Sequence, residues 1–197
     1  PTAVSCPDLV AWRPEGGRIF LIGGNDFCFV GDSFLHGSEF CEGSMSGETI
    51  HERYMRLALE EAKEANRLGE IPVGAVVVRR GHILGRGHNL RQTGHSALAH
   101  AEVLALEEAC RFVGDWRLDG CDLYVTLEPC AMCAGAVLNS RISRVFYGAA
   151  DPKEGAVCGM LRLFDLPYGN RPDYEGGVLV RECAELLESF FAQRRKK

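Results

Sequence analysis

The chain contains two short motifs whose residue types and spacing suit a metal centre. Cys130 and Cys133 lie three positions apart, and His100 stands at the start of an earlier helical segment. Side chains three apart share one face of a helix, and the amide groups at a helix N-terminus favour the thiolate form that binds metals. Two thiolates and one imidazole predict a zinc site of the catalytic type, with three protein ligands and a fourth position open to water.

Glu102 follows His100 by two positions, a spacing that brings two side chains to one point only in the first turn of a helix. Zinc lowers the pKa of a bound water toward about 7, and a neighbouring carboxylate can take its proton and pass it to a leaving amine. The two motifs, separated by residues 103–128, have the pattern of zinc-dependent deaminases, in which this glutamate is the general acid and base. A CxxC pair alone is also typical of thioredoxin-like redox proteins.

The elements that must position these motifs alternate between helices and strands. Thr49, followed three residues later by Glu52, predicts the capping box of a first helix that ends near Gly69. The other predicted elements are a hairpin of strands 72–78 and 82–88, helices 100–112, 130–138 and 183–193, and strands 122–126, 144–148 and 177–181. This order predicts an α/β fold, a three-layer α/β/α sandwich around a five-stranded mixed sheet.

Composition limits the class of protein. The 197 residues are 46% hydrophobic and 25% charged, which fits one domain with an ordinary core and an appendage. Neither a membrane-spanning run of about 18 apolar residues nor a secretory signal is present in the sequence, so we expect a cytoplasmic protein without membrane association. The nine cysteines are odd in number and irregularly spaced, which argues against a disulfide framework.

Residues 1–44 differ in composition from the rest of the chain. They contain seven glycines and two basic against six acidic residues, so their formal charge is −4, whereas residues 45–197 have 20 basic and 21 acidic residues. We expect residues 1–44 to be a poorly structured extension, or the product of a mis-assigned start ahead of Met45, with a weak hairpin between residues 18–22 and 27–30. The zinc-dependent deaminase domain is then residues 45–197.

From about Ile50 to Arg195 the sequence resembles the cytidine-deaminase-like superfamily and, within it, the bacterial tRNA-specific adenosine deaminases. The zinc motif is common to the whole superfamily. Two segments are more particular to the tRNA branch, LYVTLEPCAMCAGA at 123–136 and DPK at 151–153. The resemblance also rests on IPVGAV at 71–76, Asn89, SRI at 140–142 and GAA at 148–150.

This resemblance implies a metal centre and a reaction. His100, Cys130 and Cys133 would bind one Zn²⁺ per subunit, and Glu102 would be the proton shuttle. The reaction would be hydrolytic deamination of adenosine to inosine by a zinc-activated hydroxide. The substrate would be the wobble adenosine of a tRNA anticodon stem-loop, flipped into the pocket.

The resemblance also implies substrate contacts and a partner. Asn89 and Ala101 match positions that hold the flipped nucleoside, and Asp151 matches one near the anticodon-loop backbone. Arg194 and Arg195 belong to a basic tail that can neutralise phosphates. The family is homodimeric, and the apolar segment 134–138 is a candidate for part of the interface.

Two other functions stay open at this point. One is deamination of a free base or nucleoside of the guanine or cytidine type, and the other is a non-enzymatic zinc or redox module. The basic tail and Asp151 favour the tRNA substrate, since an enzyme for a small molecule has no need of a phosphate-binding tail. The chain departs from the family pattern in residues 1–44, at Cys158-Gly159-Met160 and at Asn170-Arg171.

Overall fold

The computed structural model describes residues 10–12, 20–22, 27–29, 47–167 and 169–195. The chain forms two compact units, 1–45 and 46–197. In the first unit, strands β1 (Val10–Trp12), β2 (Phe20–Ile22) and β3 (Phe27–Phe29) pair antiparallel in that order. The predicted hairpin corresponds to β2 and β3, whereas β1 was not predicted, and the other residues of 1–44 lie outside the described part.

The second unit is built on one mixed sheet of five strands. Its elements are α1 (Ile50–Arg67), β4 (Gly74–Arg79), β5 (His82–His88), α2 (Ala101–Val113), β6 (Asp122–Leu127), α3 (Ala131–Asn139), β7 (Arg144–Ala149), β8 (Asp173–Gly176) and α4 (Val180–Arg194). The strand order is β5-β4-β6-β7-β8. Strand β4 is antiparallel to β5 and β6, while β7 is parallel to β6 and β8. The predicted α/β fold is therefore confirmed.

Helices cover both faces of this sheet. Val77 and Val125 belong to the core beneath α2 and α3, whereas Val76 and Tyr124 belong to the core beneath α1 and α4. Alternate residues of the central strands are thus buried on opposite faces, which explains why β4 and β6 are nearly continuous apolar runs. Among the described residues, no helix is long and apolar enough to span a membrane.

The first helix begins as its sequence predicts. The Thr49 hydroxyl accepts a hydrogen bond from the Glu52 amide at 3.2 Å, and the Glu52 carboxylate accepts one from the Thr49 amide at 2.7 Å. This is the reciprocal capping box, and it satisfies two amides that would otherwise lack partners at the helix start.

The prediction of a strand at residues 177–181 is wrong. The last strand is β8, four residues earlier, and it pairs in parallel with β7 from Asp173 to Gly176. An edge strand needs no apolar face on its solvent side, so its polar sequence carried no alternating signal. The apolar Val178 is buried within a turn, in which Gly177 and Leu179 have φ values of +92° and +50°, and α4 follows directly.

Candidate metal and catalytic site

The predicted metal ligands lie where two helices begin. His100 is the N-cap of α2, Cys130 is the N-cap of α3, and Cys133 lies in the first turn of α3. Neither N-cap side chain makes a hydrogen bond to the amides of its own helix. The imidazole and the thiol are therefore available as ligands, in the electrostatic environment that favours a thiolate.

The three side chains converge. His100 Nδ1 lies 3.7 Å from Cys130 Sγ and 3.6 Å from Cys133 Sγ, and all three donor atoms lie within 4.8 Å of one another. Donors that surround one tetrahedral zinc ion, at about 2.3 Å for sulfur and about 2.0 Å for nitrogen, have separations of this size. Among the described residues, no other group of three His, Cys, Asp or Glu is close enough to hold an ion. The geometry and the donor types both fit zinc.

The electrostatics of this group favour metal binding. A hydrogen bond from the Cys133 thiol and, to a lesser degree, the hydrogen bond with His100 lower the pKa of Cys130 to about 3, against the opposing effect of burial. Cys130 is therefore a thiolate at neutral pH, which is the form that binds a metal ion. The same hydrogen bond raises the pKa of the His100 imidazole.

Glu102 lies beside this group in the first turn of α2 and is 4% exposed. Burial raises the pKa of its carboxyl to about 7, while a hydrogen bond from its own backbone amide and, more weakly, the nearby His100 and a hydrogen bond with Cys133 oppose the shift. A carboxyl whose pKa is close to the operating pH can both accept and release a proton. Its position and its electrostatics suit the role of a proton carrier.

The start of α2 is fixed by close packing against the edge strand β5. A Cβ added at Gly85 would stand 2.2 Å from the Ala105 carbonyl oxygen, and one added at Gly87 would stand 2.3 Å from that of Ala101. Only glycine allows the helix backbone to approach the strand so closely. The position of His100 and Glu102 therefore depends on the absence of these two side chains.

We expect Gly87→Ala to displace the first turn of α2. The added methyl group overlaps backbone atoms of Ala101 and Ala105, which cannot move without moving the helix. Overpacking of this kind costs about 1–3 kcal/mol of the free energy of unfolding. Denaturant unfolding measures this loss, and zinc analysis reports the displacement of the site. An unfolding free energy equal to that of the wild type would contradict this packing.

Asn89 and His100 lie at the two ends of one loop. The ends are joined by a hydrogen bond from the Leu90 amide to the Ala99 carbonyl at 3.0 Å. Asn89 itself is 6% exposed, and its amide donates to the Val73 carbonyl at 3.0 Å. The structure thus brings the backbone segments that carry Asn89 and His100 together, and Ala101, the residue after His100, is fully buried.

A buried glutamate that the sequence analysis did not identify holds this loop. One carboxylate oxygen of Glu70 accepts hydrogen bonds from the Gln92 amide at 2.8 Å, the Thr93 amide at 2.6 Å and the Thr93 hydroxyl at 2.9 Å. Glu70 lies between α1 and β4, where no sequence pattern marks it as functional. Its contact with the loop is visible only in the folded chain.

Asp151 follows β7, and its side chain shapes the next turn. Its Oδ1 accepts hydrogen bonds from the amides of Lys153 at 2.9 Å and Glu154 at 3.1 Å. The amide of Asp151 donates to Glu128, a second buried glutamate that the sequence analysis did not identify. Burial raises the pKa of Glu128, but hydrogen bonds from backbone amides outweigh burial and hold it below the ordinary value.

Arg194 and Arg195 lie at the end of α4 and have different surroundings. The Arg194 guanidinium donates to the Gly69 carbonyl at 3.1 Å and lies 4.9 Å from the centre of the Phe190 ring. Arg195 is exposed. Arg194, which is also exposed, therefore holds α4 against the turn after α1.

The proteins that resemble this chain belong to a zinc-binding deaminase family, which agrees with the metal-binding group described above. A family model described as the cytidine and deoxycytidylate deaminase zinc-binding region matches residues 48–149. The tRNA-specific adenosine deaminase of Bacillus subtilis (strain 168) is 48% identical over 150 residues, which are 76% of this chain and 93% of that protein.

Two solved structures extend the comparison. One, from studies of A-to-I editing by tRNA:A34 deaminases at the wobble position of transfer RNA, has 45% identity and a TM-score of 0.67, and the match covers 68% of this chain and 99% of that one. The other, a guanine deaminase from Bacillus subtilis, has 36% identity and a TM-score of 0.51, with 75% and 95% covered. The chain therefore belongs to the tRNA-specific adenosine deaminases, within the family defined by the cytidine and deoxycytidylate deaminase zinc-binding region.

Proposed function

We propose that this protein deaminates adenosine to inosine at the wobble position of a tRNA anticodon. The observation that carries this function is the convergence of three metal-binding side chains beside a buried glutamate, in a chain 48% identical to a tRNA-specific adenosine deaminase. His100, Cys130 and Cys133 would hold one zinc ion per chain. When bound there, zinc supplies the Lewis acidity that activates water near neutral pH.

Glu102 moves the proton in this reaction. Its carboxylate takes a proton from the attacking water and delivers it to the exocyclic nitrogen of adenine, which leaves as ammonia when its bond to C6 breaks. The water oxygen remains on C6 as a carbonyl and the second proton of the water ends on N1, so adenosine becomes inosine. The raised pKa of Glu102 suits both halves of this transfer, because the group changes protonation state near neutral pH.

The RNA is bound by residues around this centre. Asn89 and Ala101 hold the flipped nucleoside, which is supported by the place of Asn89 at the start of the loop that leads to His100 and of Ala101 directly after His100. Asp151 and Arg195 contact the RNA backbone, and Arg194 supports this surface by fixing the end of α4. Base flipping makes such contacts necessary, because the unstacking energy must be recovered in the pocket.

We expect Arg195→Ala to weaken binding of the anticodon stem-loop. Removing one phosphate contact reduces the slope of log affinity against log salt concentration by about one. Affinity titrations at several salt concentrations measure this slope. Arg111→Ala, which removes an exposed arginine paired with Glu107 on α2, is the matched control and leaves the slope unchanged. Equal slopes for Arg195→Ala and the wild type would remove Arg195 from the RNA-binding surface.

The assembly and the domain boundary are also proposals. We infer that residues 45–197 act as a cytoplasmic homodimer in which α3 forms part of the interface. Apart from its chain neighbours and the backbone of its own helix, no atom of the described residues lies within 4 Å of the position that a Cβ on Gly135 would occupy, which leaves room at this helix for a second chain. Light scattering during gel filtration measures the oligomeric state. Mass measurement of the native protein shows whether residues 1–44 belong to it.

A panel of substrates tests the function. The zinc-loaded protein is offered an anticodon stem-loop with a wobble adenosine, together with free adenosine, guanine and cytidine. The 36% identity to a guanine deaminase makes a free base the second candidate. We expect deamination of the stem-loop alone, and conversion of a free compound with the RNA untouched would overturn the proposal. A chelator is expected to abolish turnover, whereas a lower melting temperature with turnover retained would indicate a structural metal.

A further inference from the structure

The buried carboxylate of Glu128 accepts hydrogen bonds from four backbone amides of one loop. One oxygen accepts hydrogen bonds from the amides of Val157 at 3.1 Å, Cys158 at 2.7 Å and Gly159 at 2.7 Å, and the other accepts one from Asp151 at 3.0 Å. An ionised carboxylate is a pure acceptor with about four lone-pair positions. Three of the four donors therefore share one oxygen, so the carboxylate binds the loop closely at a residue only 3% exposed.

The loop that Glu128 holds, residues 151–159, also contacts the segment that carries the metal ligands. Gly155 forms an antiparallel bridge with Cys130, and the Ala156 amide donates to the Pro129 carbonyl at 2.8 Å. Glu128 immediately precedes this segment, so one short stretch supplies both the carboxylate and the ligand. The loop and the metal site are thus fixed to each other.

Glycines in this loop make room for the carboxylate. A Cβ added at Gly155 would stand 2.4 Å from Glu128 Cδ, and one added at Gly159 would stand 3.2 Å from Glu128 Oε2. The Gly159 site is also blocked by the Asp151 carbonyl oxygen at 2.4 Å. The loop can close around Glu128 only because both positions lack side chains.

We propose that Glu128 is a positioning residue for the RNA substrate, which sets the place of Asp151 and its loop relative to the metal centre. This role rests on the proposed function, since it takes Asp151 as an RNA contact. Glu128 touches neither substrate nor metal. It acts through the loop and governs how well the stem-loop binds, while the chemistry at the metal centre stays intact.

The test begins with Glu128→Gln, which keeps the size of the side chain. The carbonyl oxygen of the new side chain can still accept hydrogen bonds from the amides of residues 157–159. Its NH₂ group then faces the Asp151 amide, and these two donors cannot form a hydrogen bond with each other. We expect the KM for the anticodon stem-loop to rise about tenfold, as for loss of a hydrogen bond to a charged group. The expected kcat and zinc content are those of the wild type. Glu107→Gln, an exposed charge removal on α2, is the matched control.

Amide hydrogen exchange provides a readout independent of activity. In Glu128→Gln, peptides covering residues 151–159 should exchange faster, while those from α1 keep the wild-type rate. Gly159→Ala disturbs the same contact from the loop side, because the Gly159 amide donates to Glu128 and the added Cβ would stand 2.4 Å from the Asp151 carbonyl oxygen, and it should raise the KM and the exchange rate in the same way. Combined with Glu128→Gln it should add little, because the two changes break one interaction.

Several results would overturn the proposal. A fall in kcat or in zinc content at an unchanged KM would place Glu128 in the metal centre. Unchanged exchange in residues 151–159 would show that the loop does not depend on Glu128. A wild-type protein that does not act on the stem-loop would instead overturn the proposed function, and the exchange measurement would still test the contact itself.

Discussion

Glu102→Ala is expected to lose deaminase activity while retaining the zinc content of the wild type. The carboxylate carries the proton from water to the leaving nitrogen, and such general acid–base catalysis is worth about a hundredfold to ten-thousandfold in rate. The three metal ligands are separate side chains, with donor atoms within 4.8 Å of one another. Loss of the carboxylate therefore leaves them in place.

The measurement pairs single-turnover rates on the stem-loop with metal analysis of the same preparation. Glu107→Ala is the control, because it removes a glutamate from the exposed side of the same helix, where it pairs with Arg111. An exposed ion pair of this kind contributes little to stability. Loss of zinc from Glu102→Ala would contradict the role of proton carrier and make Glu102 part of the metal-binding group.

Cys130→Ser is expected to lose the metal. A serine hydroxyl does not ionise near neutral pH, whereas the Cys130 pKa of about 3 makes it a thiolate throughout the working range. The remaining donors, His100 and Cys133, leave zinc with two protein ligands where a catalytic site has three. We expect zinc far below one ion per chain and no detectable turnover.

The control for this variant is another cysteine. Cys110 lies on α2, with its sulfur 3.6 Å from the Trp116 carbonyl oxygen and outside the metal-binding group. Cys110→Ser should therefore keep the wild-type zinc content, as measured by elemental analysis of the dialysed protein. Full zinc retention by Cys130→Ser would remove Cys130 from the set of ligands.

The parts of this fold that were predictable are those encoded over a few residues. Thr49 and Glu52 form the predicted capping box because both partners lie within one helical turn. Strand β5 has the predicted bounds, His82–His88, since the turn at Gly81 marks where it begins. The spacing of Cys130 and Cys133 indicated a ligand pair for the same local reason.

The parts that were missed depend on contacts between distant residues. Glu70 reaches an amide 22 positions away, and Glu128 reaches one 31 positions away, so neither has a neighbouring partner in the sequence. Strand β8 pairs at the sheet edge, where burial imposes no alternating apolar pattern on the sequence. Because Val178, just beyond it, is apolar, the strand was predicted at residues 177–181 instead. Tertiary structure alone determines these features.

The most direct test of the central claim is the nucleoside found at the wobble position after the stem-loop has been incubated with the zinc-loaded protein. The RNA is digested and its nucleosides are identified by mass spectrometry, with a second stem-loop in which the adenosine is moved to another loop position. We predict inosine at the wobble position of the first RNA and unchanged adenosine in the second. Unchanged adenosine at the wobble position, in a preparation that converts free guanine, would contradict this function.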